Sequence, residues 1–285
     1  MIKNLKIKTR GLPNKIEKFI LSNINLKPPK SYTKISNTEL SNVYEKSIQT
    51  FPNNQEQISK NVIQSIKANW IKNHMITHHK NLLINSKQIL KSYKNNSNVL
   101  ELSERYDVSP LNIIRFVFNK LYHKKLTKLI NNPNNLNNLD EYDRQQLNIA
   151  IENDAYAIID NSKIKDESIE FEKLVQKVLD TYSVKYKTQD ELTEEQIKEY
   201  GKPINTPDFL IISDLYINDM KINWIDAKNF YGSNISFVKE KIEVQTKKYL
   251  DKWGSGCVVF NLGFNEEIKY PNILLTDYKM LKKSK

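Results

Sequence analysis

Glycine divides this chain. Only Gly11 lies in the first 200 residues, whereas Gly201, Gly232, Gly254, Gly256 and Gly263 fall in the last 85. Tight turns between strands use glycine's freedom at positive φ, and helix interiors are better without it. The distribution predicts helices first and strands with turns afterwards, in a mixed α/β (α+β) chain. The boundary is placed between a helical region, 1–150, and a sheet-containing region, 151–285. With 39% hydrophobic residues in 285, each part has enough apolar side chain for a core.

Within the first region, Thr38 to Lys94 reads as helices broken at "TFPNNQ" and near "LLINSK", and "NNPNNLNN" at 131–138 is a polar connector. The second region runs in order: a helix "ESIEFEKLVQKVLDTY", a strand near "YSVKYKT", an acidic connector, strands "DFLIIS" and "KINWIDAK", a helix "SFVKEKIEVQTKKYLDKWG", then strands "CVVFNLGF" and "NILLTDY". This is α-β-β-β-α-β with one further strand. The first three strands suit a meander, and the helix before "CVVF" supplies the crossover that parallel pairing requires.

The formal charge of +11 is uneven: residues 1–150 hold 24 Lys and Arg against 10 Asp and Glu, a net of +14, and the remainder has a net of −3. A basic helical region without a Trp- or Phe-lined amphipathic face points to nucleic acid rather than to a membrane. Lys, Asn and Ile are abundant throughout, so compositional bias contributes to this excess. No run of about 18 apolar residues occurs, and the start "MIKNLKIKTR" lacks a signal-peptide core, which places the chain in the nucleus or cytoplasm. The single cysteine, Cys257, sits in the apolar run "GCVVF" and reads as a buried structural thiol.

"NVLELSERYDVSPLNIIRFVFNKLY" has the pattern of a helix-turn-helix, with Ser109 as N-cap and Pro110 at the first position of the second helix. Its exposed face would offer Asn112, Arg115 and Asn119 to DNA, with Lys120 and Lys124 nearby. Helices at Thr38–Tyr44 and Glu56–Trp70 form a second, weaker candidate pair. In "HMITHHK", His74 and His78 stand one helical turn apart and can share a metal ion, but no third ligand is signalled and solvated histidines are the simpler reading.

Each of the two central strands carries charge at one end. In "INWIDAK", alternation puts Trp224, Asp226 and Lys228 on one face. Asp208 opens the adjacent strand, and antiparallel pairing through "SDLYINDM" brings it beside Asp226. Two carboxylates and a lysine at one sheet edge suit a hard divalent cation, Mg²⁺ or Mn²⁺, and phosphodiester hydrolysis. The preceding helix carries Glu170 and Glu172 beside Leu174, Val175, Val178 and Leu179, and the crossover helix sets Gln245 between Ile242 and Tyr249.

The order helix Glu, Pro-Asp, Asp-x-Lys, helix Gln resembles the PD-(D/E)XK nuclease superfamily, including the archaeal Holliday-junction resolvases. "LNIAIENDAYA", "TPDFLI", "INWIDAKNFYG" and "VQTKKYLDKWGSGCVVFNLGF" resemble the codanin-interacting nuclease family more closely, and the helical half matches its paired helix-turn-helix layout. The resemblance implies a restriction-endonuclease-like mixed sheet and a metal-dependent DNA endonuclease, structure-selective on branched DNA. It implies metal ligation by Asp208, Asp226 and the carbonyl of Ala227, assistance by Lys228, and a supporting role for Gln245. The helix acid falls on Glu170 or Glu172. A codanin-like protein partner and a homodimer are further implications. Ser168 stands where that family's helix often has glycine, which bears on where the helix starts, and Asp226 stands where the closer family mostly has glutamate. Two alternatives are a non-catalytic adaptor that keeps the nuclease fold for binding, and a transcription factor using the helix-turn-helix alone.

Overall fold

Gly256–Phe260 is buried along its whole length and Trp224–Lys228 over its first three residues, which suits both to interior positions in a five-stranded sheet. The computed structural model describes residues 3–122, 139–156 and 161–283. The strands are β1 (Lys3–Leu5), β2 (Tyr186–Thr188), β3 (Phe209–Ile211), β4 (Leu215–Ile217), β5 (Met220–Lys221), β6 (Trp224–Lys228), β7 (Gly256–Phe260) and β8 (Ile273–Asp277). The helices are α1 (Asn14–Ser22), α2 (Asn37–Thr50), α3 (Lys60–Thr77), α4 (His79–Ile84), α5 (Ser86–Lys94), α6 (Val99–Tyr106), α7 (Pro110–Tyr122), α8 (Glu141–Glu152), α9 (Asn161–Thr181), α10 (Gln189–Tyr200), α11 (Ser236–Trp253) and α12 (Tyr278–Lys282). The fold is mixed α/β, with a helical N-terminal half and mixed sheets in the C-terminal half. Among the described residues no helix is long and apolar enough to cross a membrane.

The large sheet has the order β2-β3-β6-β7-β8, antiparallel from β2 to β6 and parallel from β6 to β8. Alternation sorts its side chains. Ile225, Cys257 and Val259 pack with Phe171, Val175 and Leu179 of α9, while Trp224, Val258 and Phe260 pack with Ile242 and Tyr249 of α11. Each such fully buried aliphatic or aromatic side chain contributes about 1.5–3 kcal/mol. Gly256 is required by this packing: a Cβ there would come within 2.1 Å of the Trp224 ring. Burial also raises the Cys257 thiol far out of its ordinary range, in keeping with a structural role.

Three features depart from the sequence reading. The acidic connector is the helix α10, started by a capping box in which the Thr188 hydroxyl accepts from the Glu191 amide and Glu191 reaches back to the Thr188 amide. "SDLYINDM" is more than a turn, since β4 and β5 leave the large sheet and join β1 in a separate one, ordered β1-β4-β5. The chain also does not divide at 150. One compact unit comprises 1–20, 42–66 and 161–285, and the other comprises 21–41 and 67–160. The physical reason is the parallel pairing of β1 with β4, Lys3 opposite Leu215, together with the apolar contacts of Leu5 and Ile7, which commit the N-terminus to the sheet unit.

The helical unit packs α4 to α8 around Ile89, Tyr93, Leu102, Leu111, Ile114, Val117, Phe118 and Leu147. The expected breaks occur at Pro52–Gln57 and between α4 and α5. The connector 131–138 lies outside the described residues.

Candidate active site

The β3–β6 register pairs Phe209 with Ile225 and Leu210 with Trp224, and its continuation sets Asp208 against Asp226. The Asp208 carboxylate accepts the Ala227 amide at 2.6 Å, and its own backbone carbonyl accepts from Gln189 at the start of α10. Asp226 is fully buried and ion-paired with Lys228. The Lys228 ammonium also donates to Gln245 Oε1 at 2.9 Å. Gln245 in turn donates to Asp226 Oδ1 at 3.3 Å and to the Tyr249 hydroxyl at 3.0 Å, and that hydroxyl donates to the Thr206 carbonyl. Two side chains of α11, Gln245 and Tyr249, thus tie both charged residues of β6 to the segment that carries Asp208.

Electrostatics choose between the two helix glutamates. Glu172 is half-buried, and its carboxyl is raised by desolvation and then by Asp226, with Lys228 opposing and Asp190 adding to the rise. Glu170 is exposed and hydrogen-bonded to Lys173 at 2.7 Å, which lowers its carboxyl. Glu172 therefore belongs to the cluster and Glu170 does not. Of the apolar residues that follow on the same helix, Val175, Val178 and Leu179 are buried and Leu174 is exposed. The helix starts at Asn161, well before Ser168.

The cluster is short of positive charge. Desolvation raises the Asp208 carboxyl well above its ordinary range, Asp226 and Glu172 raise it further, and Lys228 and the Ala227 amide only partly offset them. Burial pulls Lys228 down, but the attraction of Asp226, Asp208 and Glu172 outweighs it and holds the ammonium above its usual value. Tyr249, which the sequence reading placed only as an apolar neighbour, is raised by burial and then by Asp226. Its position one turn after Gln245 was the available signal. Asp190, in the first turn of α10, was hidden while that segment passed for a connector.

In the helical unit, α6 and α7 form the expected pair. The Asn112 amide donates to the Ser109 hydroxyl, the N-cap bond, and Pro110 opens α7. Arg115, Asn119 and Lys120 are exposed, Asn112 is partly buried, and Arg115 donates to the Asn112 side-chain oxygen. Lys124 lies outside the described residues. The histidine pair at the end of α3, His74 within it and His78 just after it, has a third neighbour that the sequence did not signal, Asp107.

Residues 139–279 match a family described as a protein of unknown function with the TPD sequence motif, and Thr206-Pro207-Asp208 spells that motif here. Over 121 residues the chain is 32% identical to the uncharacterized protein L539 of Acanthamoeba polyphaga mimivirus, an alignment covering 41% of this chain. The chain spans 42% of the length of that relative. No solved structure matches significantly.

Proposed function

We propose that the chain is a metal-dependent DNA endonuclease whose active site is the strand-end cluster. The observation that carries this reading is the convergence of Asp208, Asp226, Glu172, Lys228 and Gln245 from two strands and two helices. The element order of the sheet unit, resembling that of the PD-(D/E)XK nucleases, supports it further.

The donors fit a hard divalent cation. Asp208 and Asp226 lie close enough to raise Asp208, and the excess of carboxylate over ammonium is a deficit that Mg²⁺ or Mn²⁺ would fill. Asp208, Asp226 and the Ala227 carbonyl would hold the ion. When bound, it supplies charge neutralisation at a phosphoryl oxygen and an acidified water. The chain's own contribution is positional. Gln245 holds the Lys228 ammonium at the strand end, where it can orient the attacking water or balance charge as the P–O bond breaks. The exposed Arg115, Asn119 and Lys120 of α7 would supply contacts to DNA.

The experiment is cleavage of a panel of linear, flapped and four-way-junction DNA by the full-length protein with Mg²⁺, compared with Asp226→Asn and Lys228→Ala. Activity in the wild type, lost in both variants, supports the proposal. No cleavage of any substrate, with binding indifferent to both residues, would favour an adaptor.

A further inference from the structure

His74 and His78 stand one turn apart where α3 ends, and Asp107 follows α6 as its C-cap in the left-handed conformation, φ 51°. Aspartate is among the few residues that accept this conformation at modest cost. Its carboxylate meets both rings. His74 Nε2 is 2.7 Å from Oδ1, and His78 Nε2 is 3.3 Å from Oδ2.

The hydrogen bonds constrain what lies between them. His78 Nδ1 is 3.0 Å from the His74 carbonyl oxygen, which can only accept, and 3.0 Å from the Thr77 hydroxyl, which can donate or accept; in the tautomer that serves the carbonyl, Nδ1 carries the hydrogen. A neutral His78 then turns the bare lone pair of Nε2 toward a carboxylate oxygen, a repulsive contact unless a cation intervenes. A proton is one such cation, and it makes an imidazolium stacked 3.8 Å from the His74 ring. A metal ion serves both nitrogens and the carboxylate together.

Two observations favour the metal. Donors bound at 2.0–2.1 Å around a tetrahedral ion stand about 3.3 Å apart, so the His78–Asp107 spacing already fits and the His74–Asp107 spacing needs only a small opening. A ring N–H given to a backbone carbonyl is the outer contact that orients metal-binding histidines, and Trp70, stacked on His74 at 4.6 Å, fixes the other ring.

We infer that His74, His78 and Asp107 form a zinc site with one position left to water, pinning the α6–α7 turn to the end of α3. Two imidazoles and a carboxylate suit zinc, and a three-ligand set leaves its fourth position open. This site goes beyond the proposed nuclease centre, and its test is made independent of it.

The test uses full-length protein carrying Asp208→Asn and Asp226→Asn, stripped with chelator and titrated with Co²⁺, then Zn²⁺. The expected result is one equivalent of Co²⁺ with the visible absorption of a nitrogen-ligated, four- or five-coordinate ion, displaced by one equivalent of Zn²⁺. Adding His78→Gln or Asp107→Asn should weaken the binding by roughly tenfold or more. Absence of the absorption, or equal affinity in both added variants, would overturn the site. Should a variant not fold, the imidazole signals of the parent decide: the chain has four histidines, and Zn²⁺ must shift two of them. A spectrum unchanged by Zn²⁺ also overturns the site.

Discussion

Gln245 bridges Asp226 and Lys228: its side-chain oxygen accepts from the ammonium at 2.9 Å, and its amide donates to the carboxylate at 3.3 Å. The same amide holds Tyr249, so α11 and β6 share one polar network. Gln245→Ala should loosen Lys228 without removing charge. Single-turnover cleavage should fall by roughly tenfold, while DNA affinity, read by anisotropy, stays within twofold.

Lys228→Ala removes the charge itself. Cleavage should slow by roughly a hundredfold, the usual scale for one transition-state charge partner. Asp226→Asn should slow it further. Replacing Mg²⁺ with Ca²⁺ should abolish turnover, because Ca²⁺ fills oxygen sites with looser geometry.

Glu172→Gln and Glu170→Gln should separate cleanly. The first removes a carboxylate that feels Asp226 and Lys228 and should slow cleavage roughly tenfold or more. The second alters an exposed residue paired with Lys173 and should leave both activity and stability unchanged. Equal losses in the two would place the helix acid wrongly.

The raised Asp208 carboxyl sets a pH dependence. Raised by desolvation and by Asp226, it binds its proton more tightly in the folded protein than in the unfolded chain. Stability therefore falls as pH rises from about 3.9, the ordinary Asp value, through the raised folded value. Asp208→Asn can still accept the Ala227 amide but cannot ionise. Its melting temperature relative to wild type should rise with pH through that window and level off above it. Mg²⁺ should raise the wild-type melting temperature at neutral pH and leave that of Asp226→Asn unmoved, by differential scanning fluorimetry.

The DNA contacts of α7 are tested by Arg115→Ala with Lys120→Ala in the full chain. If each neutralises one duplex phosphate, the slope of log K against log salt should shrink by about 0.9 per residue. A slope unchanged from wild type would remove α7 from the interface.

The Asp208–Asp226 opposition was legible in the sequence because alternation and antiparallel pairing need only local information. The choice of Glu172 was not, since the phase of α9 depends on which of its sides meets the sheet. Asp107 was invisible for a related reason: nothing near His74 in the sequence announces a turn residue from another helix. The capping box Thr188-x-x-Glu191 stands in the sequence, but the acidic composition around it is that of a connector as much as of a helix. The helix-turn-helix was the clearest local signal, through its Ser109-Pro110 start. β1 is too short to show any period, and with it went the division into units.

That short strand has a consequence for how the protein comes into being. Lys3 pairs with Leu215, so β1 finds its partner only after some 210 further residues are made, roughly ten to forty seconds at ordinary elongation rates. Every residue of the helical unit emerges within that interval, and Asp208, Asp226, Lys228 and Gln245 emerge at its end or after it. No translation product that stops short of Gln245 holds the assembled cluster. An interrupted synthesis leaves helices and a waiting strand, with the strand-end chemistry still unmade.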